Sequence, residues 1–81
     1  MLPQTSEQCK QALKVKHIGS TYWQRLMQIG IPRQDARTIA VAIARYDVMQ
    51  SHPRDGQRQL ISHYSAFVCR AKLWRAGLLL T

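Results

Sequence analysis

The segment Ile29-Gly30-Ile31-Pro32 sets the strongest limit on how this chain folds. Glycine adopts the left-handed backbone that ends a helix without steric cost. Proline two residues later brings the fixed φ and missing N–H that suit the first turn of a helix. Apolar residues recur at helical spacing on both sides. Tyr22, Trp23, Leu26 and Ile29 precede the turn, and Ala36, Ile39, Ala42, Ile43, Tyr46 and Met49 follow it. The spacing predicts a helix over about 21–29, a tight turn, and a helix over about 32–49.

On a wheel of 100° steps the second of these helices has two faces. Its broad apolar side opposes one carrying Arg33, Gln34, Arg37 and Arg45 together with Val41, Ala44 and Val48. A helix apolar on both sides is expected to lie centrally, with its alanines letting neighbours come close. Upstream, Thr5 and Gln8 read as a capping box opening a first helix to about Val15, after a frayed 1–4. Cys9, Ala12 and Leu13 form its apolar side, Lys10, Lys14 and Lys16 stay wet, and Gly19-Ser20 is expected to break it. Downstream, 51–56 reads as a loop on its Pro and Gly punctuation. A last helix follows over about 57–76, with Leu60, Ile61, Tyr64, Phe67, Val68, Ala71 and Trp74 on one face. Gly77 ends it before the Leu78-Leu79-Leu80 tail. The expected fold is all-α, a compact single domain over 1–81 of about four helices.

Charge narrows the partner class. Twelve Lys and Arg face four acids, Glu7, Asp35, Asp47 and Asp55, for a formal charge of +8, and Arg outnumbers Lys eight to four. The planar guanidinium fork suits phosphates and guanine edges better than a point charge does. Such a domain attracts polyanions, with nucleic acid first among them. A hydrophobic fraction of 46% is too high for a disordered basic tail.

Gly-Ile-Pro-Arg-Gln-Asp-Ala-Arg, residues 30–37, resembles the turn and recognition-helix opening of helix-turn-helix DNA-binding proteins, and the likeness extends over about 22–41. Ala36 and Ile39 fall where that motif locks its second helix on the first. The resemblance implies that Arg33, Gln34 and Arg37 meet base edges, with Arg25, Arg45 and the Lys10-Lys14-Lys16 group on phosphates. The central pair is therefore expected to be helix-turn-helix-like, in a small DNA-binding regulator or accessory factor, with DNA favoured over RNA. Arg70, Lys72 and Arg75 form a secondary basic patch at the end of the last helix, where cations also favour the helix dipole.

Rival readings stay open. Arg33 and Arg37 also serve simply to solvate a helix face. The aromatic residues read mainly as core, with Trp23 beside Gln24-Arg25 and Trp74 beside Arg75 as candidates for stacking on bases. Val41 and Val48, or the Leu78–Leu80 tail, offer a homodimer surface unless the tail folds back. The main alternative function is an adaptor or inhibitor docking a mixed apolar and basic face on an acidic protein partner.

Enzyme chemistry is not expected. His17, His52 and His63 are scattered, the acids are single, and no glycine-rich phosphate loop is present. No cofactor or metal is implied, because Cys9 and Cys69 lack metal-type spacing. Two reduced, mostly buried thiols are expected, with a disulfide from first helix to last as the alternative. The polar start MLPQTSEQCK and the lack of a long apolar run give the expectation of a cytoplasmic, membrane-free protein.

Overall fold

The first helix, α1, runs unbroken over Pro3–Ile29 in the computed structural model, which describes residues 3–79. Its 27 residues span about 40 Å at 1.5 Å per residue, most of the 45 Å long axis of the molecule. Two expectations are corrected here. Pro3 takes the first helical position, so Thr5 lies inside the first turn instead of capping it, and Gln4 is helical instead of frayed. The expected break at Gly19-Ser20 is absent. A glycine inside a helix costs about 1 kcal/mol relative to alanine, but Gly19 is buried against α2, where a Cβ would lie 3.8 Å from Ala44 Cβ. The tertiary contact outweighs the local preference.

The turn forms as expected. Gly30 adopts φ +116°, its N–H donates to the Met27 carbonyl at 3.0 Å, and the Ile31 N–H donates to the Leu26 carbonyl at 3.2 Å. Pro32, at φ −54° and ψ 146°, precedes α2, Arg33–Met49, and its carbonyl accepts the Ala36 N–H at 2.8 Å. α1 and α2 then pack side by side in antiparallel fashion. The Trp23 indole N–H donates to the Arg33 carbonyl at 3.1 Å, Gly19 lies on Ala44, and Ala12 and Val15 share a surface recess with Arg45 and Met49.

α2 ends where Gln50 enters the left-handed region at φ 57°, its N–H held by the Tyr46 carbonyl at 3.0 Å. The segment 50–54 leads into α3, Asp55–His63, whose preceding residue Arg54 donates its N–H to Gln57 Oε1 at 2.9 Å. Asp55 and Gly56 are therefore helical, two residues earlier than the loop reading placed the boundary. The expected long last helix is broken. α3 stops at Tyr64, a short α4 covers Ser65–Arg70, and Lys72 at φ 60° turns the chain back. The reason is burial. Leu73 and Leu78 both reach zero exposure only because the chain folds over, whereas Trp74, expected on the buried face, is 37% exposed.

The core gathers Leu26, Ile31, Ala36, Ile39, Ile43, Ile61, Val68, Leu73 and Leu78 from every element. α2 is central: Ala36, Ile39, Ala40, Ala42, Ile43 and Ala44 are all buried, so both of its apolar sides are covered. Leu78 belongs to this core, which removes it from the expected dimer surface; Leu79 packs partly against it, and Leu80 lies outside the described residues. Val41 and Val48 are half-buried. Cys69 is a free thiol and exposed, against the expectation of burial, because Val68 takes the inward position on α4. The side chain of Cys9 lies outside the described residues. Leu13 is 62% exposed, and Lys10, Lys14 and Lys16 are exposed as expected. Among the described residues no helix is long and apolar enough to cross a membrane.

The Gly19 contact gives a paired prediction. Gly19→Ala meets only ordinary van der Waals contact at 3.8 Å and gains helix propensity, so stability rises by about 0.5–1 kcal/mol. Gly19→Leu overpacks the helix pair and lowers stability by about 1–3 kcal/mol. Denaturant unfolding of both variants measures the two signs.

Candidate nucleic-acid interface at the α1–α2 turn

The three residues named for base contact come together. Arg33, Gln34 and Arg37 are exposed on the first turns of α2 and line, with Trp23 of α1, an open recess of about 450 Å³. From Thr38 to Val48 every α2 residue is half-buried or buried, so before Met49 the exposed side chains of α2 are those of this N-terminal end. Arg33 packs its guanidinium carbon 5.4 Å from the Trp23 ring centroid, a cation–π arrangement. A second recess of about 490 Å³ adjoins the first across Trp23 and Arg37, lined also by Ala12, Val15, Lys16, Gly19, Ser20 and Val41.

The two arginines named for phosphates lie elsewhere. Arg25 is exposed but sits about 200° round α1 from Trp23, on the helix's far side. Arg45 is half-buried, about 18 Å along α2 from Arg33, beside His52, Pro53 and Gln57. Within the secondary patch, Arg70 and Lys72 are exposed, and α4 ends at Arg70 so that Lys72 and Arg75 follow the helix instead of ending it.

Arg75 is committed internally. Its Nε and Nη2 donate to the two carboxylate oxygens of Asp47 at 3.1 Å each, and Nη2 also donates to the Tyr22 hydroxyl oxygen at 3.1 Å. The Tyr22 hydroxyl in turn donates to Asp47 Oδ2 at 2.6 Å. Hydrogen bonding to Asp47 raises the Arg75 pKa above its ordinary value, with burial working the other way. Burial, then the bond to Asp47, raises Tyr22, while Arg75 opposes.

The acids are used in the same inward fashion. Asp35 accepts from the Tyr64 hydroxyl at 2.8 Å, which raises the Tyr64 pKa, and Asp55 pairs with Arg58 at 3.1 Å. Asp35 stands on α2 between Arg33 and Arg37, yet its carboxylate is engaged by Tyr64. Among the described residues Arg33 and Arg37 form no salt bridge. No carboxylate among the described residues therefore touches either guanidinium directly, although the charge of Asp35 remains nearby on the same helix.

Sequence reasoning grouped Trp23 with Gln24 and Arg25, its chain neighbours. The hairpin instead places it with residues ten and more positions later. The available signal was the Gly30 turn, which brings residues equally distant on its two sides next to each other. Asp47 had no visible signal. Among the described residues no three His, Cys, Asp or Glu side chains gather into a metal-binding group. The chain matches no family model, no curated protein and no solved structure.

The clamp around Asp47 has a measurable pH signature. A tyrosine pKa raised on folding contributes stability that is complete below its ordinary value near 10 and is lost as pH rises through the folded value. The melting temperature is expected to fall as pH rises above about 10, and the fall is shallower in a Tyr22→Phe/Tyr64→Phe variant. Arg75→Ala at neutral pH lowers stability by about 1–2 kcal/mol, discounted for partial exposure. Thermal melts across pH check both.

Proposed function

We propose that this protein is a small nucleic-acid-binding protein, a DNA-binding regulator or accessory factor, that meets its target with the N-terminal end of α2. The observation that carries this reading is the confinement of the exposed α2 side chains before Met49 to Arg33, Gln34 and Arg37, beside Trp23. Recognition helices contact base edges with their N-terminal residues, so an end-on approach suffices. Arginine pairs with guanine and glutamine with adenine through two hydrogen bonds each. Lys16 lines the adjoining recess, and on this reading it contacts a phosphate.

A second reading rests on that adjoining recess. Ala12, Val15 and Val41 give it an apolar floor, with Lys16 and Arg37 at its edge and Leu13 62% exposed on the same helix. A floor of this kind suits an acidic amphipathic helix from a protein partner. Val41→Ser separates the two readings, because it trims the apolar floor without changing charge: nucleic-acid affinity stays as it was, and affinity for such a helix falls.

With three cations at the turn, Arg33, Arg37 and Lys16, displacing counterions from the DNA, affinity for random duplex DNA is expected to fall about fortyfold between 50 and 200 mM salt. Arg33→Ala with Arg37→Ala abolishes sequence preference and lowers the log–log salt slope by about 2. A shift assay at the two salt concentrations reads both. No detectable binding to DNA or RNA at low salt overturns the proposal.

A further inference from the structure

We infer that the recess beside Trp23 is a nucleobase pocket, in which an unpaired base stacks on the indole while Arg33 and Arg37 hold the adjoining phosphates and Gln34 meets the base edge. The inference rests on the nucleic-acid reading above and names the form of nucleic acid that the site takes. Three observations carry it.

The first is the fixed orientation of the ring. The only polar atom of Trp23 is the indole nitrogen, and its N–H is already donated to the Arg33 carbonyl at 3.1 Å. What the side chain offers a ligand is therefore its π-surface. A ring held by a backbone hydrogen bond also loses little freedom when a ligand stacks on it.

The second is room. Trp23 borders both recesses at the turn, one of about 450 Å³ with Arg33, Gln34 and Arg37, the other of about 490 Å³ with Lys16, Ser20 and Arg37. Each is within the usual range of small-ligand sites, about 300–1,000 Å³. Trp23 is half-buried and packs partly against the core, and the remainder of its surface borders these recesses.

The third is the chemistry of the lining. Arg33 stands over the Trp23 ring, 5.4 Å from its centroid, so guanidinium and indole form one stacked pair at the recess and a base stacks on the part of the indole that the guanidinium leaves uncovered. Both stack on bases, and guanidinium also binds phosphate. Gln34 brings a paired donor and acceptor, the equipment for a base edge. A base inside a duplex has both faces covered by its neighbours, so this pocket selects single strands, ends or extruded bases.

The test uses the full chain with Trp74→Phe, which leaves Trp23 as its single tryptophan. Three probes are titrated at low salt: a single-stranded DNA oligomer, the matched blunt duplex, and inorganic polyphosphate, a polyanion without bases. The expected result is saturable quenching of Trp23 by the single strand, weaker quenching by the duplex, and none by polyphosphate even where it binds. Trp23→Ala lowers single-strand affinity roughly ten- to hundredfold while polyphosphate affinity stays unchanged. Trp23→Phe, which keeps a stacking ring, restores most of that loss and covers the case in which the alanine variant fails to fold. Duplex binding with unquenched Trp23 and no single-strand preference overturns the pocket and leaves the proposed function standing. Absence of binding to either DNA form overturns the pocket, and absence of binding to RNA as well overturns the proposed function.

Discussion

The forked ion pair between Arg75 and Asp47, completed by the Tyr22 hydroxyl, joins three parts of the chain that are distant in sequence. Tyr22 belongs to α1, Asp47 to α2, and Arg75 to the segment after α4. Close by, the Tyr46 hydroxyl donates to the Ala76 carbonyl at 3.0 Å, so the returning segment is held at two adjacent residues. That return puts Leu73 and Leu78 into the core. In a chain of 81 residues, near the size at which one core only just stabilises itself, two fully buried leucines are a large share of the total. Side chains 31% and 21% exposed at this pair are dry enough to strengthen its hydrogen bonds and wet enough to limit the desolvation cost.

The same economy of charge shapes the surface. Asp35, Asp47 and Asp55 each face a partner within the domain, and two of the three partners tie separate helices together. Arg33 and Arg37 are left facing solvent at one end of the helix pair. Close approach of α1 and α2 at Gly19 and Ala44 leaves residues 38–48 of α2 half-buried or buried, so that before Met49 its exposed side chains lie on its first turns. Fold and candidate site thus share a cause: small residues draw the helices together, and what stays outside the contact is basic.

Much of this was legible in the residues. Gly30 and Pro32 marked the turn because each has a backbone preference that no neighbour overrides, and the Ala36-Ile39-Ile43 stripe marked a covered face. Gly19 and the stretch beyond Tyr64 were misread for one reason. Local propensity describes a helix alone, whereas Gly19 is set by Ala44 on another helix, and the end of α4 by the burial of Leu73 and Leu78 and the hold on Arg75. The single basic patch expected from Arg70, Lys72 and Arg75 dissolved on the same ground, since a partner 28 positions away claims Arg75. The site was half legible: Arg33, Gln34 and Arg37 follow from helix periodicity, but Trp23 joins them only through the antiparallel pairing.

The central claim is that one end of the α1–α2 pair, and not the positive charge at large, receives the ligand. The most direct measurement is a residue-resolved NMR titration of the full chain with a short DNA oligomer. The account predicts that shifts concentrate at the Trp23 indole N–H and the amides and side chains of Arg33, Gln34 and Arg37, with Lys10, Lys14, Arg25, Arg58 and Arg70 little changed. Shifts spread evenly over those outlying cations, or centred on them with Trp23 silent, would contradict it.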